Sequence, residues 1–546
     1  MRIYLVCIFL GIAFHLSGKN IYIDGLKGSN NNDGRNINSA YLNLSALDDI
    51  KWEAGDSLLL AGGHRYKGMI DLEGVISSED QWMVITSYGQ DMAIIDGSGY
   101  EAAIRIKNSR SIKIYNVKVT ANGGRVVIPS HGIQPMRCGI LFLANKAGDF
   151  GNLVIDKVDV FDIFYGSQEV RRSEDEVRTA NGTQPYGWGI RIINSHNDAM
   201  VSDVNIVACK INNTGHTGLK LTSSVDWSSH RIHTVNITDC EVRHTGGPGI
   251  QMSGVRDVMV SGNTVDHSGS TSDTRKWGRG SGLWTWGSKN IQIQKNRFTN
   301  ANGPADSAGV HIDFNCSNVV IQYNLSMNNA GGFCEILGNN YNCCYRYNIS
   351  VNDGHRIKGE SGAFQEGKIF WLSGYSGKGK KRNGPFNSYF YNNTIIVQKG
   401  IQANIAVANT SEGVLIANNI FHIEGESSVV LGDQYQPEQQ GDSLQQIPRV
   451  IFSHNLFLRK EGWPENVIIQ PKHSFFGDAE YNKVGKNLLG LEHLMPQNHA
   501  IVKDKGIIIQ KIPFDEIGLE IGLDVERDIL GNKVVGLPDL GAIEVK

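Results

Sequence analysis

Two carboxylates in the middle of the chain are spaced as a pair that could cleave a glycosidic bond. Residues 306–313 read DSAGVHID and end on Asp313, and residues 331–335 read GGFCE and end on Glu335. Glycoside hydrolysis needs one carboxyl that donates a proton to the leaving oxygen and a second that acts as nucleophile or base. Asp306 competes with Asp313 for its role, because it lies just before the segment that carries Asp313 and could reach over a groove.

Aromatic and polar residues accompany these carboxylates. Gln251, Trp284, Trp286 and His311 occupy positions that would share one outward face with them. Tryptophans are the usual side chains for binding the faces of sugar rings, and two of them on a solvated face are costly without a ligand. The alternative interpretation is that Asp306 bends a turn and that the other two carboxylates are outward polar residues of no catalytic importance.

A second group of candidates lies in turns. His216, His244 and His355 (with His267) recur at turn positions and could line a rim that binds substrate hydroxyls or carboxylates. The alternative for each is a turn histidine that bonds to the backbone. One coil after Glu335, further polar residues could extend the site: Arg356, Lys358, Glu360 and Glu366.

The elements that must position these residues form a repeat. From about residue 100, the chain repeats a glycine, a short alternating run, a polar turn and a second run that closes on asparagine; residues 249–263, 282–296 and 309–324 are examples. Alternation with period two indicates strands, and no helical stretch separates successive runs. Repeats of this kind bury their apolar side only by stacking, which predicts a parallel β-solenoid with asparagines stacked in its bends.

The repeat also predicts a register. Asn318, Tyr323 and Asn324 match Asn342, Tyr347 and Asn348 at an offset of 24. This offset places His311 over Glu335 and Ile312 over Ile336. Since adjacent coils are ~4.8 Å apart, the oxygens of Asp313 and Glu335 should lie about 5 to 9 Å apart, which covers both glycosidase geometries.

Composition narrows the class of protein. The chain has 546 residues, 63 of them glycine, and a net charge of -3. It has no excess of cations for phosphates, so nucleic acid is a poor candidate partner. Residues 1–18 read as a cleavable signal peptide, which predicts a secreted or periplasmic protein with no membrane span. Seven cysteines remain after Cys7, an odd number for a disulfide framework. Cys209 and Cys240 occupy apolar positions and are interpreted as core residues, and the lack of CxxC pairs argues against zinc.

The two ends of the chain resemble those of secreted right-handed parallel β-helix enzymes that act on polysaccharides. Residues 22–34, YIDGLKGSNNNDG, are similar to their opening segment, which leads into a capping helix, and residues 538–544, PDLGAIE, are similar to their closing segment. The resemblance implies an all-β, single-stranded solenoid. We expect a signal peptide at 1–18, an N-terminal cap and first coils at 19–100, a catalytic core at 101–430, and C-terminal coils with a terminal extension at 431–546.

The segments around the candidate carboxylates resemble those of a narrower group of enzymes. Residues 306–313, the later IQYN at 321–324 and GGFCE at 331–335 are similar to the active coils of glycoside hydrolases of the family 120 β-xylosidase and family 141 types. That resemblance implies Asp313 as nucleophile, Glu335 as general acid/base, an oligosaccharide or polysaccharide substrate, and no cofactor. We expect a monomer, with at most a structural calcium ion in the loop 24–33.

Two other functions stay open. A polysaccharide lyase would use Lys or Arg as base in β-elimination, and Arg356, Lys358, Asp306 and Asp313 could be recruited to that scheme. The basic loop 374–385 supports it by offering a grip for an anionic glycan, and the charged insertion 169–178 is either solvated or folded over the cleft. A non-catalytic glycan-binding solenoid is the third class, and it predicts no paired carboxylates that face aromatics.

Overall fold

The structure is a computed structural model. It describes residues 18–545 apart from 79, 125–134, 225, 431–448, 461–462, 464–471 and 482–489. The predicted signal peptide therefore lies outside the described residues except for Gly18. No helix in the described ranges is long and apolar enough to cross a bilayer.

The chain winds into a right-handed parallel β-helix whose coils each contribute one strand to three long sheets. The first sheet has 14 strands: Asn20–Ile23, Ser57–Ala61, Met83–Tyr88, Arg110–Tyr115, Gly148–Asp156, Ala199–Val207, Ile232–Thr238, Val255–Ser261, Lys289–Gln294, Ser317–Gln322, Cys344–Arg346, Phe386–Tyr391, Glu412–Ala417 and Val450–Ser453.

The second sheet has 14 shorter strands: Arg65–Lys67, Ala93–Asp96, Val117–Asn122, Asp159–Phe164, Lys210–Thr214, Glu241–Thr245, Thr264–Asp266, Arg297–Thr299, Leu325–Met327, Ile349–Val351, Thr394–Val397, Ile420–Ile423, Leu456–Phe457 and Phe475–Phe476. The third sheet, which carries the predicted site, has 12: Ile70–Glu73, Ala102–Lys107, Arg137–Ala144, Gly187–Asn194, Leu219–Ser223, Ile250–Ser253, Leu283–Trp286, Val310–Ile312, Gly332–Ile336, Lys368–Leu372, Ala403–Val407 and Ser427–Val429.

Helices are short and lie in the connections. Among the described residues two are α-helical, Glu174–Arg178 and His499–Val502, and four are 3-10 turns: Ile37–Ser39, Leu44–Leu47, Trp227–Ser229 and Leu491–Leu494. The opening segment resembles one that leads into a capping helix, but here it is followed by the 3-10 turn Leu44–Leu47, whose Leu44 and Leu47 pack on the core. The all-β prediction is confirmed.

One continuous core runs along the axis of the β-helix. Inward side chains stack on their equivalents in the next coil; Ile140 pairs with Ile190, and Ile190 pairs with Leu219. All seven described cysteines are free and buried, and Cys209 and Cys240 belong to this core. Stacked aliphatic side chains explain why a repeat that cannot bury its apolar face alone forms a stable solenoid.

The predicted asparagine stack is confirmed as a hydrogen-bonded ladder. At one bend of successive coils, each side-chain amide donates to the amide oxygen of the next asparagine at 2.9 to 3.0 Å. The ladder consists of Asn263, Asn296, Asn324, Asn348, Asn393, Asn419 and Asn455. Because these side chains also bond to backbone carbonyls, they satisfy buried polar groups that strands cannot pair at a corner.

Candidate active site

The outward face of the third sheet forms the floor of a cleft of about 700 Å³. Seven residues predicted from the sequence line it: Gln251, Trp284, Trp286, Asp306, His311, Asp313 and Glu335. They come from consecutive coils, and most of them are nearly buried because the connections between strands rise around the floor. The structure therefore brings the predicted carboxylates and tryptophans into one cavity.

The floor follows the predicted register. Gln251 pairs with Trp284, Trp284 pairs with His311, and Ile312 pairs with Ile336. Since side chains alternate between the two faces of a strand, His311 and Glu335 share the outward face while the isoleucines fill the core. The offset of 24 residues is thus confirmed at this coil.

Connections from both sides form the walls of the cleft. Arg178, from the charged insertion, lies 4.7 Å from the ring of Phe364, and both residues line the cavity. The insertion thus folds over the cleft. On the other side, the ring of Phe314 makes edge contacts with Trp286 and with Tyr375 of the basic loop, at 5.8 and 5.5 Å between centroids. These aromatic contacts fix the side of the cleft next to Asp313.

Asp306 is an ionised carboxylate held in a salt bridge. Its Oδ2 atom lies 2.9 Å from Nε of Arg279, and both side chains are about nine-tenths buried. Burial opposes ionisation, but the positive charge of Arg279 and its hydrogen bond hold the pKa of Asp306 below the ordinary value. Arg356 and Gln365 position the loop, since Arg356 donates to the carbonyl oxygen of Asp306 at 3.0 Å and Gln365 accepts from its N–H at 2.9 Å.

The pKa values of Asp313 and Glu335 are raised, in contrast to that of Asp306. Burial raises the pKa of Asp313 to about 7, and the negative charge of Asp306 adds to this, although the N–H of Phe314 donates to the carboxylate at 2.9 Å. Burial and the charge of Asp306 likewise raise the pKa of Glu335 to about 8, against the opposing charge of Lys368. The site thus combines one carboxylate that is ionised at acidic pH with two carboxyls that lose their protons only near pH 7 and pH 8.

His311 lies between these groups and Trp284. Its Nδ1 atom is 2.9 Å from Oγ of Ser281 and 3.8 Å from Oε2 of Glu335, and its ring meets Trp284 edge-on. Burial lowers the pKa of His311 to about 4. The imidazole is therefore neutral at physiological pH and serves as a hydrogen-bonding group rather than a cation.

The predicted rim histidines do not join this cleft. His216 is fully buried, stacked between Trp188 and Trp277 with ring centroids 4.0 and 4.4 Å away, because both tryptophans close over the turn that carries it. His244 is half-buried on the second sheet, stacked on the exposed His267 at 4.9 Å. His355 is exposed, and with His267 it lines a different cavity beside the second sheet.

Arg356 and Glu366 also lie outside the floor. The guanidinium of Arg356 is buried, and it donates to the backbone carbonyls of Gly303, Asp306 and Gln365. Glu366 is half-buried, with its carboxylate 4.0 Å from Nζ of Lys368. Arg356 supports the loop of Asp306 from behind, and Glu366 lies beside Lys368, where the sequence predicted direct contact with substrate for both.

No group of three His, Cys, Asp or Glu side chains among the described residues is arranged to hold a metal ion. The absence of a cofactor stays a prediction.

Sequence reasoning missed three cations in the cleft: Arg191, Lys220 and Arg279. Arg191 pairs with Lys220 and Lys220 pairs with Gln251, so two of these cations continue the same outward row. Extending the register from Gln251 to earlier coils would have found them. Arg279 lies in a connection between strands, and no periodicity marks it.

Comparisons with known proteins agree with this architecture. A family profile described as "Right handed beta helix region" matches residues 188–363. The lacto-N-biosidase of Bifidobacterium longum subsp. longum is 25% identical over 281 residues, which is 48% of this chain and 15% of that protein. The chain thus matches only a small part of its curated relative.

A solved structure shares the fold. The crystal structure of a glycoside hydrolase family 136 lacto-N-biosidase from Eubacterium ramulus is 17% identical, with a TM-score of 0.53 over 76% of this chain and 67% of that one. A rhamnogalacturonan lyase is 12% identical, with a TM-score of 0.43 over 79% of this chain and 93% of that one. The lacto-N-biosidase structure supports the parallel β-helix fold. The narrower resemblance to families 120 and 141 stays a prediction.

Proposed function

We propose that the protein is a glycoside hydrolase that cleaves glycosidic bonds in a complex polysaccharide or its oligosaccharides with two carboxyl groups of the cleft. The observation that carries the proposal is the cluster of Asp306, Asp313 and Glu335, in which burial and mutual repulsion separate the protonation states. The similarity to lacto-N-biosidases supports it, because those proteins are named for the hydrolysis of a glycan. A secreted or periplasmic location would suit such a substrate.

The roles follow from the order of the pKa values. Glu335, whose pKa is raised to about 8, is protonated at neutral pH and donates its proton to the leaving oxygen. Asp313, whose pKa is raised to about 7, ionises in the same range and attacks the anomeric carbon or activates a water molecule. Asp306 stays ionised, and its charge stabilises positive charge on the sugar in an oxocarbenium-like transition state.

A lyase is the second candidate, and one observation favours it. Lys220 lines the cleft, and burial lowers its pKa to about 7, as a base for proton abstraction would require. The residues that sequence reasoning recruited fit this role less well, since Arg356 faces backbone carbonyls and Lys358 is exposed. The hydrolase explains the three clustered carboxyls, which a Lys-based elimination leaves without a function.

The proposal is tested by digestion of plant, algal and host glycans, with reducing ends and ultraviolet absorbance measured together. Hydrolysis releases reducing ends without absorbance, whereas β-elimination creates an unsaturated uronate that absorbs. Strong absorbance in step with cleavage would overturn the hydrolase. Asp313→Asn and Glu335→Gln should each lower kcat by roughly 10³-fold or more, because each removes a reacting group.

The matched control is Asp198→Asn, which changes an exposed carboxylate in a turn remote from the cleft. This variant should retain full activity. If Asp313→Asn and Glu335→Gln also retain it while all three variants fold, the site is wrongly assigned.

A further inference from the structure

The cleft has a cationic end. Arg191 and Lys220 lie on consecutive coils in the outward row that continues to Gln251 and Trp284. Adjacent coils are ~4.8 Å apart, so Lys220 is about 10 Å along the axis from Trp284 and farther from the carboxyl cluster. Both cations line the cavity that contains the proposed catalytic groups. A short oligosaccharide could contact both ends at once.

The side chains of Arg191 and Lys220 are buried with few groups to balance their positive charge. Arg191 is 6% exposed and Lys220 is 7% exposed. Both lie over the ring of Trp188, at 4.1 and 5.0 Å from its centroid. Within the described residues neither forms an ion pair, and Nε of Arg191 has no hydrogen-bond partner. Burying an uncompensated charge is expensive, and two neighbouring like charges add to the cost.

Among the residues that the structure describes, no carboxylate forms an ion pair with Arg191 or Lys220. The carboxylate that acts on Arg191 is that of Glu101, which is already in a salt bridge with Arg105 at 3.1 Å. The segment 125–134, which lies outside the described residues, contains no Asp or Glu. The remaining contact of the Arg191 guanidinium is with Sδ of Met136, at 3.1 Å from Nη1. The described residues thus supply no anionic partner for this pair, and an anionic group of a ligand would fit between the two cations.

We propose that the cleft recognises an acidic sugar, with a carboxylate or sulfate group of the substrate bound between Arg191 and Lys220. This inference rests on the proposed function, because it assigns the substrate class of the same cleft. Charge also sets the orientation: the carboxyl cluster repels an anionic group, so the acid group lies at the cationic end and the cleaved bond at the other. Trp284 and Gln251 lie between them and would contact the sugars in the middle.

The test measures binding separately from catalysis. Calorimetry with the inactive Asp313→Asn protein compares uronate-containing oligosaccharides with their carboxyl-reduced forms, and sulfated oligosaccharides with their desulfated forms. The acidic member of at least one pair should bind roughly tenfold or more tightly, since it gains charge-assisted hydrogen bonds. The pair that shows the preference identifies carboxylate or sulfate as the group recognised.

Adding Lys220→Gln or Arg191→Gln to this protein should abolish the preference and leave the affinity for the neutral member unchanged. The control is Lys107→Gln, which removes an outward cation of the same sheet that lies outside the cleft and is paired with Glu73 at 2.9 Å. Equal binding of both members in every pair would overturn the proposal, as would an equal loss for both members in the variants.

Folding and function are separable in this design. Below pH 7, where Lys220 is protonated, Lys220→Gln should melt at a temperature equal to or above that of the unchanged protein, because it removes a buried charge without an ion-pair partner. Inorganic sulfate should raise the melting temperature of the unchanged protein and of Lys107→Gln more than that of Lys220→Gln at equal ionic strength. An acid preference without hydrolysis would overturn the proposed function alone, and hydrolysis without an acid preference would overturn this inference alone.

Discussion

The activity should depend on pH through two ionisations that lie unusually close together. If Asp313 must be ionised and Glu335 protonated, pKa values of about 7 and about 8 predict a bell-shaped profile of kcat/KM. Near pH 7.5 about 0.6 of the enzyme would hold both groups in the required state, and at pH 5.5 only about 0.03 would. Activity should therefore fall roughly twentyfold over these two pH units, and similarly on the alkaline side.

The variant Asp306→Asn tests the cause of these shifts. The charge of Asp306 raises the pKa of both Asp313 and Glu335, so its removal should move both limbs of the profile to lower pH. Initial rates at low substrate concentration, measured from pH 4 to 10 in buffers of constant ionic strength, give the two limbs. Asp198→Asn, the exposed control, should keep the original profile.

One result would refute this reasoning. A profile that stays high down to pH 4 would mean that the ionised reacting group has a low pKa, which is the property of Asp306 and not of Asp313. The same conclusion would follow if Asp306→Asn abolished turnover at every pH while Asp313→Asn retained part of it.

Further predictions concern binding and stability. Trp284→Ala should weaken oligosaccharide binding by roughly tenfold, as measured by calorimetry, while Trp82→Ala, a half-buried tryptophan outside the cleft, should not. Asn324→Ala should lower the free energy of unfolding by about 3 kcal/mol, because Asn324 donates to two carbonyls and bonds to both neighbours in the ladder. In the same denaturant titration, replacing the exposed Asn302 with alanine should leave the free energy of unfolding nearly unchanged. Glu335→Gln should raise the melting temperature at pH 9 more than at pH 5. A carboxyl whose pKa is raised on folding destabilises the folded state as pH rises from its unfolded to its folded pKa value. Equal effects at both pH values would contradict the assignment of Glu335 as a buried carboxyl.

The fold and the register were predictable because each coil repeats the same pattern of a glycine, alternating strand residues and a closing asparagine. The asparagine phrase that aligns Asn324 with Asn348 also aligns Ile312 with Ile336, and the structure has both pairs. Alternation then places Trp284 and His311 outward. Register and side-chain orientation depend on the residues at equivalent positions in adjacent repeats, and these can be read from a single sequence.

The burial of the outward face was not predictable in the same way. Period-two alternation assigns Arg191 and Lys220 to an exposed surface, but connections between strands cover them. His216 was expected at a rim and is enclosed by Trp188 and Trp277, two residues from coils far apart in sequence. The pKa order of the carboxyls depends on the same coverage. The spacing of residues in the sequence predicts which of them share a face of the sheet. Which of those residues are buried depends on how the connections between strands fold over that face.

The asparagine ladder has an evolutionary consequence. Its successive rungs are 33, 28, 24, 45, 26 and 36 residues apart, yet each pair bonds at the same corner. Insertions of very different length are thus accommodated between rungs without changing which strands stack. A lineage that carries this ladder can lengthen, shorten or exchange the connections that wall the cleft and so acquire new specificities on an unchanged floor.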